Sequence, residues 1–312
     1  MKNLRNSLFV PQCLLTLALS CHAATTLAAA ADDSNIQSLC LRREARAEAT
    51  IVETQLASVP ALLRIPAKVS RAPILLWHGF GPPGSERALM DALPLDEVPA
   101  IKVYLGLPQF GARAGPGGRE DLVRRQAEDL GRLVFEPIVV GAAQELPKVI
   151  AALQDMQCIH AQDRVGLFGF SAGGAAALIA LAEGKAPIGT AVVVNASTGL
   201  TASVQAYERA TRKQYGWSDY TRELARRTDA VERAADIARN RPALLILHGT
   251  DDVTLTSQTA VALRDALMPY YRASGSEARL RLTLVEGMGH GWADSAHAGD
   301  LRRSIAEWFN KS

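Results

Sequence analysis

Uninterrupted apolar runs constrain this chain most. Pro73-Ile74-Leu75-Leu76-Trp77, Val165-Gly166-Leu167-Phe168, Ala191-Val192-Val193-Val194 and Ala243-Leu244-Leu245-Ile246-Leu247 lack the polar alternation of a strand with one wet face. Such short runs read as strands buried on both sides, as in a parallel sheet covered by helices. Further strands are expected at 51–54, at 61–65 between Pro60 and Pro66, at 100–105 and at 280–285. Between them lie segments of helical pattern: 120–156, with breaks expected near Pro137 and Pro147, then 172–183, 199–240, a stretch to about 273, and a C-terminal amphipathic helix containing 305–309. This alternation predicts the α/β class, a doubly wound, mostly parallel sheet. The segment 199–240, inserted between two strands, is expected to form a small helical cap over the carboxyl edge.

Composition matters at two points. Lys2 and Arg5 precede an apolar stretch, 8–20, and small residues lead to Ala30 before Asp32-Asp33. That pattern predicts a signal peptide over 1–30 and a single domain over 31–312. The stretch is short for a membrane span, so no transmembrane segment is expected. Leu19-Ser20-Cys21 leaves a lipid anchor at Cys21 as the alternative. Lys2 and Arg5 are two of the 34 basic residues, and the remaining 32 balance 32 acidic ones. With no basic stripe, neither nucleic acid nor an anionic membrane surface is an expected partner. Nothing in the sequence specifies an oligomeric state. Export to the periplasm or the medium would leave Cys40 and Cys158 in an oxidising compartment, where an even count favours a disulfide; two unrelated thiols are the alternative.

The chemistry centres on Gly169-Phe170-Ser171-Ala172-Gly173, a G-x-S-x-G pattern between a strand and a helix. There the turn lifts the Ser171 hydroxyl clear of the sheet, and the Ala172 N–H faces the oxyanion that acyl transfer would develop. A serine hydroxyl is a weak nucleophile and requires a base. His22 falls in the leader, His78 and His248 end buried strands just before glycine, where imidazole commonly holds a loop by hydrogen bonds, His160 precedes the strand leading to Ser171, and His297 enters the last helix. His290 remains, in a glycine-rich loop after the final strand, where the ring can swing toward the carboxyl edge. A carboxylate between Ser171 and His290 would orient the base. His248-Gly249-Thr250-Asp251-Asp252 offers two, with Asp252 favoured and Asp251 left to cap the turn or face solvent. Phe80, in His78-Gly79-Phe80, supplies the second oxyanion N–H and a ring to wall an acyl pocket, or is merely core. No metal site is expected, because His290 and His297 lack a carboxylate partner.

Together, Trp77-His78-Gly79-Phe80, Asp163-Arg164-Val165, Gly169-Phe170-Ser171-Ala172-Gly173-Gly174, His248-Gly249-Thr250-Asp251-Asp252 and Gly289-His290-Gly291 resemble the α/β-hydrolase superfamily, in its dienelactone-hydrolase-like and prolyl-oligopeptidase-like branches. The resemblance implies a Ser-Asp-His hydrolase without a cofactor. Ser171 stands where dienelactone hydrolases proper carry cysteine, which argues against that activity. No β-propeller pattern precedes the catalytic part, which argues against a large oligopeptidase. The leading expectation is a carboxylic-ester hydrolase acting on a small-molecule ester. A peptidase or amidase is the second reading, and a non-catalytic binding protein on the same fold is the third. The tyrosines of the 199–240 segment and Trp217 could line a substrate pocket or form the cap's own core.

Overall fold

The computed structural model describes residues 33–41 and 48–311. The expected signal peptide and Cys21 lie outside the described residues. Helix α1 (Asp33–Leu41) is joined to the end of a later helix by the Cys40–Cys158 disulfide, with Cα atoms 4.9 Å apart. Its Ile36 is fully buried.

Eight strands form one sheet in the order β1-β2-β4-β3-β5-β6-β7-β8. Strands β1 (Thr50–Leu56) and β2 (Val59–Ile65) make an antiparallel hairpin, and β2 pairs antiparallel with β4 (Ala100–Leu105). From β4 onward all pairings are parallel, through β3 (Arg71–Trp77), β5 (Val165–Phe170), β6 (Ile188–Val194), β7 (Ala243–Gly249) and β8 (Leu280–Val285). Side chains alternate between two apolar layers, as the period of two along a strand requires. Leu75, Leu167, Val193 and Ile246 face one layer; Ile74, Phe168, Val192 and Leu247 face the other. Helices cover both faces, which is why the strands read as continuous apolar runs. The second layer is closed by α2 (Glu86–Ala92) and by the C-terminal helix α10 (Ala298–Lys311), through Leu89, Leu301 and Phe309.

On the first face, α3 (Gly118–Asp129) runs into a π-helical stretch, Leu130–Val140, and then into α4 (Gly141–Asp155). The expected breaks at Pro137 and Pro147 are therefore corrected to one helical path that changes its winding. The wider turn gives the Gly141 N–H an acceptor at Glu136 O, five residues back, and relieves the crowding that Pro137 imposes on an α-helical turn. Helix α5 (Ala172–Glu183), buried along nearly its whole length, packs beneath β5, and α9 (Ser257–Ala273) precedes β8.

Residues between β6 and β7 form α6 (Leu200–Thr211), α7 (Asp219–Thr228) and α8 (Ala234–Ala238). Their aromatics dock this insertion on the π-helical stretch. The Tyr215 hydroxyl donates to Asp129 Oδ1 at 2.5 Å and accepts from the Gly131 N–H, where a side chain larger than hydrogen would collide with it. Tyr220 donates to Glu136, and Trp217 sits edge-on to Tyr215. Of the two expected roles for these aromatics, Tyr215 and Trp217 fill that of packing, while exposed Tyr220 tethers the insertion through Glu136.

Candidate active site

At the end of β5, Ser171 has φ +53° and ψ −114°, a backbone conformation that side chains bearing a Cβ seldom adopt. Its neighbours explain how the turn is held. A Cβ at Gly169 would lie 2.3 Å from Gly173 O, one at Gly173 would lie 2.4 Å from His78 O, and one at Gly174 would lie 2.4 Å from the Ala196 Cβ. Glycine at these positions lets the start of α5 wedge between the loops that leave β3 and β6. The Ser171 N–H bonds Val194 O, and its carbonyl accepts from Ser197 and Ala175.

Ser171 Oγ lies 3.0 Å from His290 Nε2, and His290 Nδ1 lies 2.7 Å from Asp252 Oδ2. Asp252 is the buried member of the aspartate pair; Asp251 is exposed and accepts from the Thr250 hydroxyl. The carboxylate is well satisfied. Its Oδ1 accepts from the N–H groups of Thr254 and Leu255 at 2.9 and 2.8 Å. His248 Nε2 stands 3.4 Å from Oδ2, while its short 2.6 Å bond goes to Leu255 O. Burial alone would raise the Asp252 carboxyl, but hydrogen bonds from His248, His290 and the Leu255 amide hold it far below the usual carboxylate range.

Two residues that sequence reasoning assigned no catalytic role lock this arrangement. Asn195, fully buried with φ +44°, donates through Nδ2 to Gly289 O and His290 O at 3.0 and 2.8 Å. Its Oδ1 accepts from the Gly249 N–H at 2.9 Å, so one side chain ties the end of β6 to the end of β7 and to the histidine loop. Its position directly after Val194 was the one available signal: a polar residue that follows the apolar run Ala191-Val192-Val193-Val194 at the carboxyl edge. His78 does the equivalent work on the other flank. Burial pulls its pKa down to about 4, against the opposing hydrogen bond to Gly79 O, so the ring is neutral at pH 7. Nδ1 then donates to Gly79 O at 2.7 Å, and Nε2 accepts from the Leu107 N–H, joining the loops after β3 and β4.

Gly79 passes directly over the serine turn, since a Cβ there would lie 2.9 Å from the Ser171 Cβ. The next residue, Phe80, is half-buried and stacks on Phe110. Ala172 opens α5, so its N–H is one of those a helix start leaves without an intrahelical acceptor. His160 lies at the far, amino edge, and His297 lies beyond Gly287. Among the described residues no group of three or more His, Cys, Asp or Glu could hold a metal ion, and no helix is long and apolar enough to cross a membrane.

The model of the prolyl oligopeptidase family matches residues 141–312, more than half of the chain. No curated protein matches the sequence significantly. Among solved structures, a Thermus thermophilus protein aligns with a TM-score of 0.64 at 22% identity, over 84% of this chain and 98% of that one. Porphyromonas gingivalis dipeptidyl peptidase 4 aligns with a TM-score of 0.58 at 15% identity, over 85% of this chain but 35% of the peptidase. An esterase/lipase from an uncultured bacterium aligns with a TM-score of 0.54 at 17% identity, over 93% of this chain and 94% of that one. At these identities the likeness is one of fold.

Proposed function

The chain belongs to the prolyl oligopeptidase family and is a serine hydrolase, and we propose that it cleaves carboxylic esters through an acyl-enzyme intermediate. The observation that carries this reading is the relay from Ser171 Oγ through His290 to Asp252, at 3.0 and 2.7 Å. His290 Nε2 takes the hydroxyl proton as Oγ attacks the ester carbonyl. Asp252 fixes the tautomer that leaves Nε2 free and stabilises the imidazolium as it forms. The oxyanion develops in front of the Ala172 and Phe80 N–H groups. Collapse breaks the bond to the alcohol, which leaves with the proton from Nε2. Water then repeats the sequence on the acyl-enzyme and regenerates the serine.

Peptide or amide hydrolysis is the second reading, favoured by the family and by the fold of dipeptidyl peptidase 4. Against it, four of the insertion's six carboxylates are engaged locally rather than grouped to receive an amino terminus. Glu208 accepts from the Tyr215 N–H, Glu223 pairs with Arg226, Asp229 caps Val231, and Asp236 pairs with Arg239. The Cys40–Cys158 disulfide supports an exported protein, periplasmic or secreted, with a lipid anchor at Cys21 as the alternative to a free mature chain.

Hydrolysis of p-nitrophenyl acetate, butyrate and octanoate by the mature protein and its Ser171→Ala variant tests the proposal. We expect the substitution to lower kcat by about 10⁴-fold or more. Unchanged turnover would sink the assignment of Ser171. Fast cleavage of aminoacyl anilides with poor ester turnover would instead select the peptidase reading.

A further inference from the structure

Beside the proposed nucleophile, the 106–118 loop and α3 enclose a groove of about 420 Å³. The wall nearest the serine is Phe80, whose ring stacks on Phe110 at 5.2 Å with 14° between the planes. Leu122 and Val123 of α3 also line it, with Arg119 and Gln126 as polar members. Val123 is 55% exposed, although it projects an apolar side chain from an otherwise strongly polar helix. Phe80 ties the groove to the site, since it directly follows Gly79, whose backbone lies against the serine turn.

The order of strands decides what such a groove would receive. Strands β3 and β4 lie on one side of β5, and β6, β7 and β8 lie on the other. His290 follows β8 and reaches Ser171 from that second side. A departing alcohol takes its proton from His290 Nε2, so it must leave toward β8. The side of β5 toward β3 and β4 is therefore left for the acyl group rather than for the alcohol. The Phe80–Phe110 groove opens there.

We propose that this groove is the acyl subsite, and that the substrates are esters of apolar carboxylic acids longer than butyrate. The proposal rests on the ester-hydrolase reading above. Aromatic and aliphatic walls gain free energy with each methylene they remove from water, so selectivity should rise with chain length until the groove is full.

Val123→Asp tests it. This side chain lies largely in solvent, so the substitution should leave the fold intact while placing a charge in the groove. The first readout is the ratio of kcat/KM for p-nitrophenyl octanoate to that for the acetate. The second is calorimetric binding of octanoate to the Ser171→Ala protein, with and without Val123→Asp. We expect the ratio to exceed one in the wild type and to fall by about tenfold or more in the variant, with octanoate binding weakened in parallel. An unchanged ratio in an enzyme that Ser171→Ala silences would overturn the acyl subsite and leave the hydrolase reading standing. If the wild type turns over no ester, the ester reading fails separately. Octanoate binding then decides the groove alone: equal affinity with and without Val123→Asp overturns it.

Discussion

At the carboxyl edge of the sheet, His78, Asn195 and Asp252 are buried polar side chains with hydrogen bonds that run from loop to loop, while buried His248 braces its own loop. At the amino edge the ties come from the rim instead. Arg71 reaches the carbonyls of Phe309 and Asn310, Arg164 those of Ile188 and Asn240, and Arg279 those of Arg241 and Gly189. The Cys40–Cys158 disulfide closes the same end. Ser171 and Asn195 have positive φ at the carboxyl edge, as Gln157 and Arg241 do at the amino edge. The difference teaches a division of labour. The carboxyl edge concentrates buried polar side chains around the proposed relay, whereas the amino edge is tied mainly through arginines at its rim and the disulfide. Substitutions should therefore separate into those that lower kcat and those that lower the unfolding free energy.

The largest effect is expected at Asp252. Asp252→Asn should lower kcat by about 10⁴-fold, since an amide favours the wrong imidazole tautomer. The same change should alter acid stability. Because the folded carboxyl titrates below its unfolded value near about 4, it contributes stability that is complete above that pH. That contribution is lost as pH falls toward the folded value. Urea midpoints measured from pH 7 to pH 3 should fall less steeply in Asp252→Asn than in the wild type. Parallel curves would remove Asp252 from the acid-labile network.

The disulfide should behave in the opposite way. Its cysteines are 118 residues apart, and losing a link of that span costs about 5 kcal/mol in the chain-entropy model. Cys40→Ser combined with Cys158→Ser should show that loss by chemical denaturation, with kcat on a short ester within about twofold of wild type. A large fall in kcat in the folded double variant would break the division between the edges.

Asn195 sharpens it from the other side. Asn195→Ala removes both donors to the His290 loop and the acceptor for Gly249. We expect kcat to fall by about 10²-fold with KM little changed, as misplacement of a catalytic ring does. Wild-type kcat in a folded but less stable variant would make Asn195 a staple of the fold rather than a positioning residue.

Much of this was legible because the sequence features answer to local physics. The glycines around Ser171 follow from contacts that leave no room for a Cβ, and His290 followed from where the last strand must end. Ser171 was proposed from its G-x-S-x-G turn, His290 by discounting the other histidines, and Asp252 over Asp251 from its place after His248. What escaped notice depends on non-local partners. Asn195 looks ordinary until the loops it joins are brought together, and for His78 the loop-holding role was legible but its partner at Leu107 was not. The helical path through Pro137 escaped because proline is read as a break, whereas a π turn absorbs it when the flanking residues are buried. Short α2, with its Ser85 cap, carries too few residues for a helical period to show.

The smallest effect tests whether the amino half is as purely stabilising as the comparison supposes. Lys102 lies between Ala100 and Tyr104, on the face that α2 covers; it is fully buried and donates from Nζ to Val98 O at 3.1 Å. Burial pulls its pKa down to about 8, against the attraction of Asp96 and Glu97. The unfolded lysine, near about 10.4, binds its proton more tightly than the folded one. Stability should therefore rise as pH climbs from about 8 to about 10.4, and the group is a liability at pH 7. Lys102→Met keeps the stem's packing and removes the buried charge, which should raise stability by about 1–2 kcal/mol at pH 7. The gain should shrink toward pH 10.5, where the native lysine would already be neutral. A substitution that destabilises equally at both pH values would mean that the bond to Val98 O outweighs the desolvated charge, and that even this half of the sheet relies on a buried polar tie.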